Sequence, residues 1–391
     1  MPAKDPMREV LRDITLRLLD YCKNNDWAGH DPYDALNSRI FQSLPIKHSK
    51  TARLALTQIM KRSPIDLRRP LSVPKTQNPK ALGLFLMALV KLARLGLLDD
   101  ESLIPSLVDR LEVLRSSDAP YYCWGYSFPW QTRTILVPRG YPNLVCTVFV
   151  GRALLDAYQH TGSPRCLEMS RSAAEYLLKT LYWTDGPISA GFSYPTPEVR
   201  RHIYNADLMG AVLLCRTYRL TGDRRFLEPA LRAARYAALQ QREDGAWFYG
   251  ESPDQRWIDN FHTGYNLSAL AELKTCGEAG EFAPYLDKGF SFYRENFLRE
   301  GRPPKYFHDH LYPIDIHCVA QSIITLVDFK DRDDSNIRMA TSLFNWALGH
   351  MWSEGGYFYY RVDPLYKNRI SYMRWSQAWM LLALSSLSEA L

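Results

Sequence analysis

Gly245-Ala246-Trp247-Phe248-Tyr249 is one copy of a pattern found four times along the chain. Its counterparts are Gly191-Phe-Ser-Tyr194, Gly301-Arg-Pro-Pro-Lys-Tyr306 and Gly356-Tyr-Phe-Tyr-Tyr360, and successive glycines lie 54, 56 and 55 residues apart. A steady period of that length holds two helices and two loops, so it predicts a repeated helical hairpin. After each glycine come aromatics, a polar loop and the start of an amphipathic helix. The helices are LMGAVLLCRTYRL, YNLSALAEL, CVAQSIITLVDF and QAWMLLALSSL, with apolar positions at three- and four-residue steps.

Working outward, Gly125-Tyr-Ser-Phe-Pro-Trp130 and Gly140-Tyr-Pro-Asn143 precede the helix LVCTVFVGRALLDAYQHTG, a looser unit, and Asn78-Pro-Lys-Ala-Leu opens another. The reading is one all-α domain over residues 1–391, with less regular helices in 1–120 and clear hairpins in 121–391. Hairpins of this kind stack as an open solenoid or close as an (α/α)6 toroid around a cavity. An open solenoid needs polar end caps. The last helix is apolar nearly to Leu391, so it needs a partner, and closure onto the first hairpin supplies one.

Composition narrows the function classes. The net charge is +6, and the basic residues are scattered. That argues against nucleic acid and agrees with a cavity for an acidic substrate. The 24 Tyr and 10 Trp offer apolar bodies with polar edges, suited to sugar faces or to an aromatic-rich core. The seven cysteines form no C-x-x-C pair, which argues against a disulfide scaffold and favours a reducing, cytoplasmic setting. The apolar stretch 81–98 is broken by Lys91 and Arg94, so it reads as a buried helix and not a membrane span. Nothing here specifies an oligomeric state.

Gln241-Arg-Glu-Asp-Gly-Ala-Trp247 resembles the Q-x-x-D-G-x-W turn of six-hairpin glycosidase-like and terpenoid-cyclase-like toroids, where the Gln and Trp tie a helix end to the next loop. The stretches CWGYSFPWQTR, WIDNFHTGYNL, YPIDIHCVAQS and YMRWSQAWM also resemble uncharacterised proteins associated with bacterial polysaccharide biosynthesis, over about two thirds of the chain. The resemblance implies a toroid acting on a poly- or oligosaccharide, and it transfers no catalytic residue. Asp331-Arg-Asp333-Asp334 matches the D-x-D-D string of some terpenoid cyclases. It follows its helix instead of preceding it, so it reads as a solvated loop.

The polar residues follow each repeat glycine by 13 to 19 positions. The densest set is Trp257-Ile-Asp259-Asn260-Phe-His262-Thr-Gly-Tyr265-Asn266. Here Asp259 or Asn260 caps a helix, and His262 shares a face with Asn266. The next unit offers Asp315 and His317, whose spacing beside Cys318 lacks a zinc signature. The last offers Arg374 for bidentate carboxylate binding and Trp375 for stacking. Asp207, Lys305, Tyr306, Arg133 and Trp130 extend the theme.

Two chemistries fit. Hydrolysis takes two carboxyl groups, available from Asp207, Asp259 and Asp315. Uronic-acid C5 chemistry takes a base, His262 or Tyr265, an anion clamp of Arg374 and Asn266, and acid or orienting groups in Asp259 and Asp315, with His317 a further catalytic candidate that Asp315 would orient. It leads to an epimerase or a lyase, and no cofactor or metal is expected. A non-catalytic glycan-binding scaffold is the third reading.

Overall fold

The structure, a computed structural model, describes residues 6–117, 119–274, 276 and 280–391. Six helices form an inner ring: α4 (Pro79–Arg94), α6 (Leu144–Thr161), α8 (Tyr204–Thr221), α10 (Asn260–Leu273), α12 (Ile316–Asp328) and α14 (Ala378–Ala390). Each packs on the next, and α14 packs on both α12 and α4. The ring is therefore closed, as the unpartnered last helix required. These helices are apolar nearly all round, which suits elements covered on two faces. In α4, thirteen residues are buried, among them Leu82, Phe85 and Leu89.

An outer helix backs each inner one. These are α5 (Leu103–Val113), α7 (Pro164–Tyr176), α9 (Leu227–Leu239), α11 (Ala283–Phe297) and α13 (Ser335–Met351), paired with the inner helices they follow in sequence. The sixth outer helix is α1 (Pro6–Asn24), which packs against α14. The chain thus closes its ring by pairing its first helix with its last. The interval between α1 and α4 holds the short helices α2 (Arg39–Ser43) and α3 (Lys50–Arg62). They cover a small apolar cluster of Ala35, Met60 and Val73, separate from the main core.

The repeat glycines work as joints. Gly245 has φ +90°, and a Cβ there would meet the Lys288 carbonyl of α11 at 2.4 Å. A side chain would suffer both the left-handed backbone and the clash. Around it, Gln241 donates to the carbonyls of Gly245 and Tyr285, each at 2.9 Å, and the Trp247 indole donates to Ala237 of α9 at 3.1 Å. The turn ties the end of α9 to the following loop, as its resemblance implied, and reaches on to α11. Asp331, Asp333 and Asp334 lie in an exposed connection at the far end of α12, where Asp333 accepts from the Ser335 amide and pairs with Arg294.

One expectation is corrected. Cys215 of α8 and Cys276, just past α10, form a disulfide. They are 61 residues apart in sequence, and only the packing of neighbouring hairpins brings them together. Cys22, Cys123, Cys146, Cys166 and Cys318 are free and buried. Among the described residues no helix is long and apolar enough to cross a membrane.

Candidate functional site

Because inner and outer helices alternate, all six inner helices start at the same mouth of the ring. The second residue of each opening turn has the same outlook. These residues are Lys80, Val145, Asn205, Phe261, His317 and, in the widened turn Met373–Gln377 before α14, Arg374. All six line one cavity of about 240 Å³. That is below the roughly 300–1,000 Å³ of drug-sized sites, so it suits one small ring. Loop aromatics, including Tyr33, Tyr126, Trp130, Tyr194 and Tyr249, complete the wall. The floor includes Met209 and Tyr265, which also line a polar cavity of about 330 Å³ opening at the opposite mouth.

His262 has the most defined chemistry. Asp259 caps α10 by accepting from the His262 amide at 3.0 Å. Its other oxygen holds His262 Nδ1 at 2.7 Å and the Trp257 indole at 2.9 Å. The carboxylate therefore fixes the ring and its tautomer, as in other carboxylate–histidine pairs. Nε2, with no partner among the described residues, is left for a ligand. Trp257 in turn stacks on Tyr249, ring centroids 4.5 Å apart.

A second imidazole lies one helix away. Phe261 separates the two, with its ring 4.3 Å from that of His262 and 4.7 Å from that of His317. His317 Nε2 meets the Tyr265 hydroxyl at 2.6 Å, and its Nδ1 is buried without a partner. Burial first, then the charges of Lys80 and Arg374, push His317 well below the usual histidine range, so the ring stays neutral. Burial raises Tyr265 well above the phenol range, so it remains a hydroxyl.

Other expected residues stand elsewhere. Arg374 lines the cavity, but its guanidinium is committed: Nε and Nη2 grip the Asp31 carboxylate at 2.6 and 2.8 Å. The expected free clamp is corrected, because residues 343 apart in sequence meet across the ring closure. The clamp's other half, Asn266, is buried in α10 away from the cavity wall. Asn260 bonds to Ser322 and Tyr293. Lys305 donates to the His308 carbonyl, and the Tyr306 carbonyl accepts from the Asn260 amide. Arg133 pairs with Asp254 in solvent. Trp130 and Trp375 do reach the cavity.

The carboxylates sit behind the wall. Asp207 accepts from the Phe192 amide at 2.7 Å and holds His202 at 2.9 Å. Asp315 caps α12 through the His317 amide and accepts from the Trp375 indole, both at 2.9 Å. Among the described residues no Asp or Glu forms part of the cavity wall, and no cluster of three His, Cys, Asp or Glu side chains is placed to hold a metal.

Burial pushes Asp315 up to about 6 against those two hydrogen bonds and the charges of Lys61 and Arg361. An unfolded aspartate titrates near 4. Between those values the folded state holds the extra proton, so the contribution of Asp315 to stability is present at low pH and fades as pH rises through 6. The stability difference between wild type and Asp315→Asn should therefore move in favour of the variant from pH 4 to 6, then level off. Urea unfolding of both proteins at pH 4, 5, 6 and 7 checks it, and a constant difference would show that the carboxyl titrates normally.

The sequence reading missed Lys80, Asp31, Tyr33 and Phe261. Lys80 and Phe261 carry a usable signal, since each stands two residues after its helix cap, Asn78 and Asp259 respectively, in register with His317.

No family model matches the chain, and no curated protein matches it. Solved structures do. A family 76 glycoside hydrolase, the α-mannanase of Bacteroides thetaiotaomicron, aligns with TM-score 0.60 at 11% identity over 79% of this chain and 86% of its own. The cellobiose 2-epimerase of Spirochaeta thermophila aligns with TM-score 0.55 at 14% identity over 80% and 86%. A D-mannose isomerase aligns with TM-score 0.59 at 14% identity over 92% of this chain and all of its own, 100%. At such identities the likeness is one of fold: this chain is an (α/α)6 toroid of the six-hairpin kind, an architecture it shares with carbohydrate enzymes of several reaction classes.

Proposed function

We propose that the protein is a carbohydrate enzyme that moves a proton at a sugar carbon next to a carbonyl or carboxylate, giving epimerisation or elimination. The observation that carries this is the Asp259–His262 pair facing an aromatic cavity whose described wall holds no carboxylate. Nε2 of His262 takes the carbon-bound proton, and the electron pair passes into the adjacent carbonyl or carboxylate. Return of a proton to the opposite face gives the epimer. Loss of the C4 substituent with the electron pair gives the unsaturated product instead. The Tyr265–His317 pair supplies a second proton-carrying group in the same wall.

Hydrolysis is less well supported, since its two carboxyl groups must flank the scissile bond, while Asp207, Asp259 and Asp315 serve helix ends and neighbouring side chains. Two of the proteins sharing the fold are named as an epimerase and an isomerase, which agrees with proton transfer. A role in polysaccharide biosynthesis rests on the sequence resemblance. A cytoplasmic setting rests on the five free thiols, with Cys215–Cys276 as the exception.

The test is incubation with acidic and neutral glycans in deuterated water. Deuterium at the sugar carbon supports epimerisation, and new ultraviolet absorbance supports elimination. New reducing ends without either would replace the proposal with hydrolysis, and binding without turnover would replace it with a scaffold role.

A further inference from the structure

Lys80 is the unexplained group of the cavity. It is only 4% exposed, at the start of α4. Its ammonium lies 4.3 Å from the Phe149 ring centroid, 5.3 Å from that of Trp379 and 5.9 Å from that of Tyr265. Ring faces favour a cation by only about 0.5–2 kcal/mol, far less than the cost of burying an unpaired charge. Among the described residues no carboxylate pairs with it. Asp31, the carboxylate whose charge acts on Lys80, is taken by Arg374 through two bonds. His317 and Tyr265 face Lys80 as neutral groups, and Cys146 lies behind it as a thiol.

The cavity thus has one basic side chain more than it has acidic partners for. Six helix N-termini open onto the same space, each with partial positive charge. We propose that Lys80 is the anion-recognition group of this cavity and that the substrate is a sugar bearing a single carboxylate, a uronate, seated against the Lys80 amine. One uncommitted cation matches a monoanion, whereas a phosphate dianion calls for further donors. The inference rests on the carbohydrate reading above and names its substrate class. It moves the anion clamp from Arg374 and Asn266 to a residue on the opposite side of the ring closure.

Burial, and after it the charge of Arg374, hold Lys80 well below the usual lysine range. A carboxylate beside it stabilises the ammonium, so binding at a pH above the depressed pKa of the empty site takes up a proton from solution.

Isothermal titration calorimetry on the full chain tests this without turnover. The probes are D-glucuronate, D-galacturonate, D-mannuronate and L-iduronate, each beside its neutral aldose, in buffers of different ionisation enthalpy. At least one uronate should bind roughly tenfold or more tighter than its aldose, as a charge-assisted hydrogen bond allows, with proton uptake. Lys80→Met should lose both the preference and the uptake. It should keep its fold, because an apolar side chain suits the aromatic pocket. Lys80→Arg, always charged, should keep a preference without uptake. The assignment is overturned if no uronate outperforms its aldose, if the preference survives Lys80→Met, or if glucose 6-phosphate binds tighter than every uronate. Failure of both deuterium exchange at carbon and new ultraviolet absorbance would remove the proton-transfer reading and leave these binding results standing.

Discussion

His262→Gln should lower turnover by about 10²–10⁴-fold, the usual contribution of a positioned general base, with little change in stability. The ring lies at the cavity wall with 22% of the side chain exposed. The Asp259 cap on the His262 amide is a backbone contact and survives the substitution. Asp259→Asn gives a companion measurement. Asn is an equally good helix cap, so the helix remains, while the anion that orients Nδ1 is lost. Asp259 is a positioning residue, and its variant should show a smaller loss in kcat together with a displaced acidic limb in the pH–rate profile. Turnover by His262→Gln within a few-fold of wild type would end the assignment of His262 as base. An unchanged pH profile in Asp259→Asn would show that the carboxylate only caps the helix.

Asp31→Asn should destabilise the protein by about 3–5 kcal/mol, because it leaves a buried guanidinium without its counter-charge. Asp31 and Arg374 are both 4% exposed. Their pair also seats the segment between α1 and α4 on the mouth of the ring. Asp31 takes the Tyr33 amide at 3.0 Å, and Arg68, fully buried, binds Asp34 at 2.8 Å and the Asp31 carbonyl at 2.7 Å. Tyr33, carried by that segment, then reaches the cavity. For a chain of this length such a loss lowers the thermal midpoint by about 5 °C. Pairing Asp31→Asn with Arg374→Gln should restore much of it, since two neutral amides replace an orphaned charge. A single variant within about 0.5 kcal/mol of wild type in urea unfolding, the range of an ordinary surface substitution, would show that water compensates the guanidinium.

How much of this is legible in the sequence depends on the range of the interaction. The glycine period, the helix cap at Asp259 or Asn260 and the Gln241–Trp247 turn are local, and local rules read them. His262 and Asp259 are three residues apart, so their bond follows once a helix is capped there. Lys80 was present in the string that opens a repeat, yet lysine at a helix start reads as a solvated residue. Only ring closure puts Phe149, Trp379 and Tyr265 around it and removes the water. Arg374 is the converse case: its residue type suggested a free clamp, and a partner near the other end of the chain had already claimed it.

By itself, then, the sequence determined the hairpin, its period and the polar helix starts, because each depends on residues within one unit. The tertiary structure alone decided which side chains of the opening helical turns share a cavity, which basic group is paired and which is left over. Burial and charge pairing between distant segments are properties of the closed ring, and no local spacing encodes them. The four glycines that opened the reading mark where each hairpin turns, and the chemistry collects at the helix starts that follow them.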